Sequence, residues 1–285
     1  MILITGASGK TGSEVARQLA AADVAFSAMV RSREKGEPFE AMGADVVVGD
    51  LSDEDFLQRA LAGIEKAVLI MPNGEHQQAM ETRFTDLAVE AGVQHLVYLS
   101  SIESVPENLN PITQMHVATE KHIRQSGIDY TMIRPSFFMQ MFLGAAKGIR
   151  ERGELVFPAG KGTVATTDLR DVGEVIRLVL TEPGHENQSY ELTGPELLTF
   201  DECAERISRV IGRDVRYVDQ PMAEFADRLR SINMSDWRTQ AVCKEFEAIS
   251  RGIIDHTTET VEELLGRPPI SLEQCITDHL HLFKD

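Results

Sequence analysis

Residues 1–12 read MILITGASGKTG, and this stretch decides the fold. Residues 2–5 are apolar or β-branched and predict a short, fully buried strand. Residues 6–12 follow without a break as a glycine-rich turn, and residues 13–22 then have the periodicity of a helix. A strand, a glycine-rich turn and a helix in immediate succession are typical of the opening unit of a dinucleotide-binding fold.

The glycines of the turn have the spacing G-x-x-G-x-x-G. The first permits a tight turn, the second lets the backbone approach an anion, and the third lets the helix pack closely on the strand. The amide groups and the positive dipole end of the helix then favour a pyrophosphate. The predicted pyrophosphate-binding residues are Gly6, Ser8, Gly9, Lys10, Thr11 and Gly12. An ATP-type phosphate loop would need a glycine where Ile4 stands, which leaves a glycine turn without a ligand as the alternative.

The composition excludes several classes of partner. The chain has 285 residues, of which 42% are hydrophobic, and a formal net charge of −17. Nucleic acid and anionic membrane surfaces both require a basic face, so we expect neither as a partner. No apolar stretch approaches the length of a membrane span, and a strand that starts at residue 2 leaves no room for a signal peptide.

The cysteines and histidines give further expectations. Cys203, Cys243 and Cys275 are far apart and form no C-x-x-C motif, which favours a reduced, cytoplasmic setting. The histidines do not have the spacing of metal ligands, so we predict no metal site. The oligomeric state stays open, with a homodimer as one alternative.

The end of the second predicted strand, residues 24–30, indicates which nucleotide is bound. An NAD site places Asp or Glu on the ribose at this point, whereas an NADP site places Arg. Here Arg31 is the first charged residue, and Arg33 and Lys35 follow closely. A guanidinium group matches a 2′-phosphate in shape and charge. We therefore predict NADP(H) in preference to NAD(H); an ordinary solvated charge run is the alternative.

Further predicted strands end at the same edge of the sheet. The third ends in the sequence VVVGDL at 46–51, the fourth is KAVLIM at 66–71, and the fifth is QHLVYLS at 94–100. Ligands of parallel sheets bind at the carboxyl ends of the strands. The residues predicted to line this nucleotide crevice are Asp50, Leu51, Met71, Pro72 and Ser100. Asp50 is either an adenine-side contact or a turn residue, and Ser52 with Asp55 predicts a capping box for the next helix.

The strands are unbroken apolar stretches that alternate with helices, which predicts a doubly wound, Rossmann-type parallel sheet of the α/β class. A sixth strand is predicted at 129–134. We expect a nucleotide-binding domain over residues 1–135 and a smaller, mostly helical α/β substrate or cap domain over 136–285. The helix at 168–181 is expected to pack with the first domain. Thr199 and Glu202 predict a capping box in the second.

Motifs along nearly the whole chain give a family resemblance. They are GASGKTG at 6–12, VRSREK at 30–35, GADVVVGDLSD at 43–53, VYLSS at 97–101, HVATEK at 116–121, GIDYTMIRPSFFMQ at 127–140, DLRDVG at 168–173 and LLGRPPISLEQ at 264–274. With these motifs, the chain resembles the NmrA-like branch of the atypical short-chain dehydrogenases/reductases. The resemblance implies NADP(H) bound to a Rossmann domain and a small C-terminal substrate domain. It also implies a hydroxyl near the nicotinamide, for which Ser100 and Ser101 are the candidates; a pair of turn serines is the alternative.

The usual catalytic motif of short-chain dehydrogenases, Tyr-x-x-x-Lys, is absent, because none of the four tyrosines has Lys four residues later. On the helix at 111–125, a buried stripe is predicted at Ile112, Met115, Thr119 and Ile123. His116 lies at the edge of this stripe, in the slot of the missing Tyr, with Glu120 in the slot of the Lys and Lys121 towards solvent. His116 is predicted either as a proton donor or as a structural histidine paired with Glu120.

These observations favour an oxidoreductase that transfers hydride from NADPH to a conjugated, electron-poor acceptor. Such an acceptor needs no strong proton donor, in contrast to a ketone. The resemblance implies quinones, azo and triphenylmethane dyes, or imines as acceptors. Phe137 and Phe138 follow Pro135 and are either core residues or the wall of a pocket for the aromatic substrate. The alternative function is a non-catalytic NADP(H) sensor that acts through a protein partner.

Overall fold

The computed structural model describes residues 1–106, 108–253 and 255–284. The chain forms two compact units, each assembled from several segments. The first consists of Met1–Ser104, Thr113–Arg134 and Val172–Tyr190, and the second of Val105–Ile112, Pro135–Asp171 and Glu191–Asp285. One division follows Arg134, and the helical segment from Val172 onward belongs to the first unit.

The strands are short. In chain order they are β1 (Ile2–Ile4), β2 (Phe26–Val30), β3 (Asp45–Val48), β4 (Lys66–Leu69), β5 (His95–Leu99), β6 (Asp129–Pro135), β7 (Glu154–Phe157), β8 (Thr163–Val164), β9 (Gln188–Leu192), β10 (Leu198–Thr199) and β11 (Arg216–Asp219).

Seven of these strands form one sheet in the order β3-β2-β1-β4-β5-β6-β9. The neighbours from β3 through β6 pair in parallel, with Ile2 opposite Phe26 on one side and Lys66 on the other. The strands are added outward from β1 to β3 on one side and from β4 to β6 on the other, so the strand order reverses beside β1. This is the switch point where doubly wound sheets bind ligands. The predicted Rossmann-type parallel sheet is confirmed.

The helices predicted at 13–22, 111–125 and 168–181 are found within three residues of those bounds. In chain order they are α1 (Lys10–Ala21), α2 (Arg33–Glu40), α3 (Glu54–Leu61), α4 (Gln77–Glu90), α5 (Pro111–Ser126), α6 (Gln140–Gly144), α7 (Ala146–Arg152), α8 (Leu169–Thr181), α9 (Phe200–Ile211), α10 (Met222–Ser231), α11 (Asp236–Ser250), α12 (Thr260–Leu265), α13 (Leu272–Asp278) and a final 3₁₀ turn, Leu280–Leu282. Within the described ranges, no helix has the length and apolar character needed to cross a bilayer.

The cap of α3 differs from the sequence prediction. The capping residue is Asp53, whose carboxylate accepts from the Phe56 amide at 2.9 Å, so the predicted capping box of Ser52 is wrong. Ser52 instead donates to Asp50 from both its amide and its hydroxyl. The predicted capping box of Thr199 and Glu202 is confirmed at α9.

The second unit is built around aromatic side chains rather than a large sheet. Its strands form two small pairs, β8 with β10 in antiparallel orientation and β7 with β11 in parallel. Its core contains a cluster of phenylalanines with ring centroids 5.5–6.4 Å apart, formed by Phe137, Phe142, Phe157, Phe200 and Phe246. Aromatic pairs at these distances add to the burial energy of a core.

Candidate active site

The turn between β1 and α1 tolerates no side chain at two of its glycines. Gly6 has a φ of +58°, and a Cβ there would lie 2.6 Å from the Ile70 carbonyl oxygen. A Cβ on Gly12 would lie 2.3 Å from the Gly6 carbonyl oxygen. The Gly9 amide closes the turn by donating to the Gly6 carbonyl at 2.9 Å. The glycine spacing therefore brings the start of α1 directly against the end of β1.

The start of α1 has the features of an anion site. Gly9 occupies the capping position, so no side chain caps the helix, and its first turn contains no acidic residue. Ser8, Gly9 and Lys10 are exposed, whereas Thr11 is buried. The dipole of the helix and its leading amide groups thus lie open beside a basic side chain, which fits a pyrophosphate.

Arg31 and Asp50 follow two strands that are neighbours in the sheet, β2 and β3. Asp50 is held by Ser52, whose hydroxyl and amide donate to Oδ1 at 2.6 and 2.9 Å. These hydrogen bonds, together with the positive charge of Arg31, keep the pKa of Asp50 below its ordinary value. The structure thus brings Arg31 and Asp50 together at the edge where the nucleotide crevice is predicted.

The other predicted crevice residues differ in how they are placed. Arg33 lies in the first turn of α2, with its side chain 70% exposed and paired to Glu40 at 2.5 Å. Leu51 and Met71 are half-buried and pack against the core of the first unit. Pro72 is exposed.

Ser100 hydrogen-bonds to a buried carboxylate on α5. Its hydroxyl donates to Oε1 of Glu120 at 2.7 Å and lies 3.1 Å from the hydroxyl of Ser104. Ser101 is half-buried, and its hydroxyl accepts from the Glu103 amide at 3.2 Å. Ser100 is therefore bonded to the helix that holds His116, whereas Ser101 closes a local turn.

Glu120 is the centre of an ion-pair cluster. Arg134 donates to it from Nε at 2.8 Å, and Arg124 donates from Nη1 at 2.9 Å. Burial raises the pKa of this carboxyl, but the bonds from Arg134 and Ser100 and the two positive charges outweigh it, so the pKa is below its ordinary value. Glu120 is a permanent anion at neutral pH.

His116 has a different partner from the one considered in the sequence. Its Nδ1 lies 2.6 Å from the Tyr98 hydroxyl, whereas Glu120 bonds to Ser100 and the two arginines. Burial lowers the pKa of His116 to about 4, although the charge of Glu120 opposes this shift. The imidazole is therefore neutral at neutral pH. The predicted faces of α5 are confirmed, with the stripe buried and Lys121 exposed.

Tyr98 links His116 to a second buried carboxyl group, that of Glu81 on α4. The Tyr98 hydroxyl lies 2.8 Å from Oε2 of Glu81, which also accepts from the Thr119 hydroxyl at 2.9 Å. Sequence reasoning missed this pair. The signal was present in the spacing Gln77, Glu81 and Thr85, which places three polar side chains on one buried face of a helix.

The substrate candidates Phe137 and Phe138 have different environments. Phe137 is buried in the aromatic cluster of the second unit, where its ring is 5.7 Å from that of Phe142. Phe138 is half-buried, and its backbone forms an isolated parallel bridge with Thr167. In the part of the chain that the structure describes, no cluster of three or more His, Cys, Asp or Glu side chains has the arrangement of a metal site.

Comparison with known proteins places this geometry among nicotinamide-dependent reductases. Over 283 residues the chain is 33% identical to the NAD(P)H azoreductase of Xenophilus azovorans, covering 99% of each. Over 286 residues it is 31% identical to quinone oxidoreductase 2 of Escherichia coli strain K12, again covering 99% of each.

Solved structures agree with the sequence comparison. The NADPH complex of Escherichia coli quinone oxidoreductase 2 matches with a TM-score of 0.89 at 29% identity, covering 99% of this chain and 100% of that one. The NADP(H) complex of the triphenylmethane reductase of Citrobacter sp. matches with a TM-score of 0.87 at 28% identity, covering 97% and 99%. The model of the NmrA-like family matches residues 1–274, and the chain therefore belongs to the NmrA-like family.

Proposed function

We propose that this protein, an NAD(P)H-dependent reductase of the NmrA-like family, uses NADPH to reduce a flat, conjugated, electron-poor acceptor. The observation that carries the proposal is the turn of residues 6–12, where backbone alone fits at Gly6 and Gly12 and an uncapped helix start follows. The names of the relatives, an azoreductase and a quinone oxidoreductase, support the choice of acceptor.

The coenzyme would be held by groups of the first unit. Ser8 and Lys10 would bind the pyrophosphate through their amide groups and the Lys10 ammonium, and Gly9 would let the anion approach the backbone, because these residues are exposed at the start of α1. Arg31 would bind the 2′-phosphate, and Asp50 would lie beside the adenosine. Arginine as the first charged residue after β2 supports NADP(H) over NAD(H). When bound, the reduced nicotinamide supplies a hydride.

The proton side of the reaction favours acceptors that are reduced easily. The chain has no Tyr-x-x-x-Lys motif, and the residue in the tyrosine slot is a neutral, buried histidine. A developing alkoxide needs a strong proton donor in place, whereas a quinone, a dye or an iminium ion accepts hydride without one. Quinones, azo or triphenylmethane dyes and imines are therefore the proposed substrate class. The three buried, free thiols support a reducing, cytoplasmic setting.

The test is to mix the purified protein with NADPH and a panel of quinones, dyes and imines, and to follow the loss of the reduced-coenzyme absorbance. We expect oxidation well above the protein-free blank with at least one class, and slower oxidation of NADH than of NADPH. Oxidation no faster than the blank across the panel would contradict the proposal. Binding of both oxidation states without turnover would instead favour a redox sensor.

A further inference from the structure

We propose that Glu81 and Tyr98 form a buried proton relay that supplies a proton to Nδ1 of His116 when His116 gives one up from Nε2. Both are therefore positioning residues for proton transfer to the acceptor. The relay lies within the first unit and joins α4, β5 and α5. It rests on the proposed reductase function for its role in turnover, but its proton chemistry is a property of the protein without coenzyme.

The contacts form an unbroken line of hydrogen bonds. Oε2 of Glu81 lies 2.8 Å from the Tyr98 hydroxyl oxygen, which lies 2.6 Å from Nδ1 of His116. Thr119 donates to Oε2 of Glu81 at 2.9 Å, and Gln77 donates to Oε1 at 2.9 Å. Glu81 and Tyr98 are both 0% exposed, so water does not interrupt the line.

The Tyr98 hydroxyl has one hydrogen and two partners, which gives the line two arrangements. If Glu81 is an acid, it donates to Tyr98, Tyr98 donates to Nδ1 of His116, and the imidazole carries its hydrogen on Nε2. If Glu81 is an anion, Tyr98 donates to it instead, and His116 donates to Tyr98 from Nδ1. The protonation of Glu81 therefore selects the tautomer of His116.

The charges around the line allow Glu81 to change state near neutral pH. Burial raises the pKa of Glu81 to about 7, against the opposing bonds from Gln77, Tyr98 and Thr119. Burial lowers the pKa of His116 to about 4 and, with the charge of Glu81, holds the pKa of Tyr98 well above its ordinary value. Among the described residues, Glu120 is the other charged group that acts on Tyr98 and His116. Glu81 is thus the member that gains and loses a proton.

This arrangement solves the difficulty of a neutral histidine as donor. A neutral imidazole releases its Nε2 proton only if Nδ1 gains one in the same step. With a quinone or azo acceptor, the anion left by hydride transfer takes the proton from Nε2, Nδ1 takes the Tyr98 proton, and Tyr98 takes the proton of Glu81. The electrons stay on the acceptor, and Glu81 is left as a carboxylate. Once the product has left, a solvent proton taken up at Nε2 returns through the same hydrogen bonds and restores the acid.

The direct test uses the coenzyme-free protein labelled with ¹⁵N, in which nitrogen shifts report the tautomer of each histidine. We expect His116 to change from the Nε2–H to the Nδ1–H tautomer as the pH rises through about 7. Glu81→Gln and Tyr98→Phe should each abolish the change. Thr119→Val, which removes only a bond to the carboxylate, should keep the change and move its midpoint to higher pH.

His95 is an internal control in the same spectra. Its Nε2 lies 2.8 Å from the Thr131 hydroxyl, whose own hydrogen goes to the His185 carbonyl at 2.6 Å. His95 must therefore donate from Nε2 and should keep one tautomer throughout. A His116 tautomer that stays constant through the same titration, or that still changes in Glu81→Gln, would overturn the relay.

Turnover gives the second readout. In the wild type, kcat should fall as the pH rises through about 7, because Glu81 loses its proton in this range. With a quinone or azo acceptor, whose reduced form is an anion that must gain a proton, Tyr98→Phe should lower kcat several-fold and remove this step from the pH profile, with little change in KM. Normal turnover with an unchanged pH profile in Tyr98→Phe would contradict the relay while leaving the reductase proposal intact. A tautomer change in a protein that shows no turnover would support the relay and contradict the reductase proposal.

Discussion

Arg134 donates from Nε to Oε1 of Glu120 at 2.8 Å, and the carboxylate it holds is only 2% exposed. The pair joins the end of β6 to the middle of α5, so an arginine of the strand neutralises a carboxylate of the helix. A buried carboxylate without its partner is costly, whereas the same charge at the surface is not. The helix that holds His116 therefore depends on Arg134 for its position.

Replacing this arginine should destabilise the protein strongly. We expect Arg134→Met to lower the free energy of unfolding by about 3 kcal/mol at neutral pH, since Arg124 still compensates part of the charge. Chemical denaturation measures the change. Arg83→Met is the matched control, because Arg83 pairs with Glu54 at the surface and should cost at most about 1 kcal/mol.

The loss of unfolding free energy in Arg134→Met should depend on pH. The pKa of Glu120 is lowered in the folded protein, so its contribution is present above the unfolded value of 4.5 and is lost as the pH falls through the folded value. The deficit of Arg134→Met should accordingly shrink in acid, where Glu120 becomes protonated. A deficit that is constant from neutral pH into acid would show that packing, not charge, is the cause.

Gly12→Ala tests the geometry of the turn. The new Cβ would lie 2.3 Å from the Gly6 carbonyl oxygen, so we expect a loss of about 1–3 kcal/mol in unfolding free energy and weaker NADPH binding. Gly144→Ala is the control, because nothing lies within 4 Å of a Cβ there. Denaturation and calorimetric titration measure the two effects. Unchanged stability and binding in Gly12→Ala would contradict the packing described for the start of α1.

Arg31→Ala tests the choice of nucleotide. A guanidinium–phosphate contact contributes about 1.5–3 kcal/mol, so Kd for NADPH should rise about 10- to 100-fold while Kd for NADH changes little. Arg59→Ala removes another exposed arginine, on α3, and should change neither value. Equal losses for NADPH and NADH would show that Arg31 does not bind the 2′-phosphate.

Glu81→Gln should change how stability depends on pH. The pKa of Glu81 is raised to about 7 in the folded protein, so its proton stabilises the fold below the unfolded value of 4.5, and this contribution is lost as the pH rises through about 7. The variant cannot ionise and should gain on the wild type by up to about 3 kcal/mol across that interval. Glu90→Gln, an exposed substitution on the same helix, is the control. A parallel pH dependence in wild type and Glu81→Gln would exclude a buried titration.

Local patterns predict much of the fold, including the glycine turn between β1 and α1. The apolar strands, the glycine spacing and the polar residues after each strand can each be read from residues that are adjacent in the sequence. The capping residue of α3 was misassigned because Ser52 and Asp53 are both good caps, and the Ser52 hydroxyl is taken by Asp50. A sequence pattern does not locate the first residue of a helix to better than one or two positions.

The relay residues lie beyond local patterns. His116 and Glu120 lie four apart on one helix, which made their pairing one of two predictions for His116. The structure instead bonds His116 to Tyr98 of β5 and Glu120 to Arg134 of β6. A tyrosine in an apolar strand gives no sign that its hydroxyl will meet a carboxylate 17 residues earlier in the chain. Contacts between elements decide which of two equally good local partners a buried polar group takes.

Titration of the ¹⁵N-labelled protein with NADP⁺ and NADPH tests the central claim most directly. The account predicts saturable binding of both, with the largest amide shifts at residues 6–12 and at Arg31, and weaker binding of NAD⁺. Absence of binding by either oxidation state, or binding that leaves the amides of residues 6–12 unchanged, would contradict it.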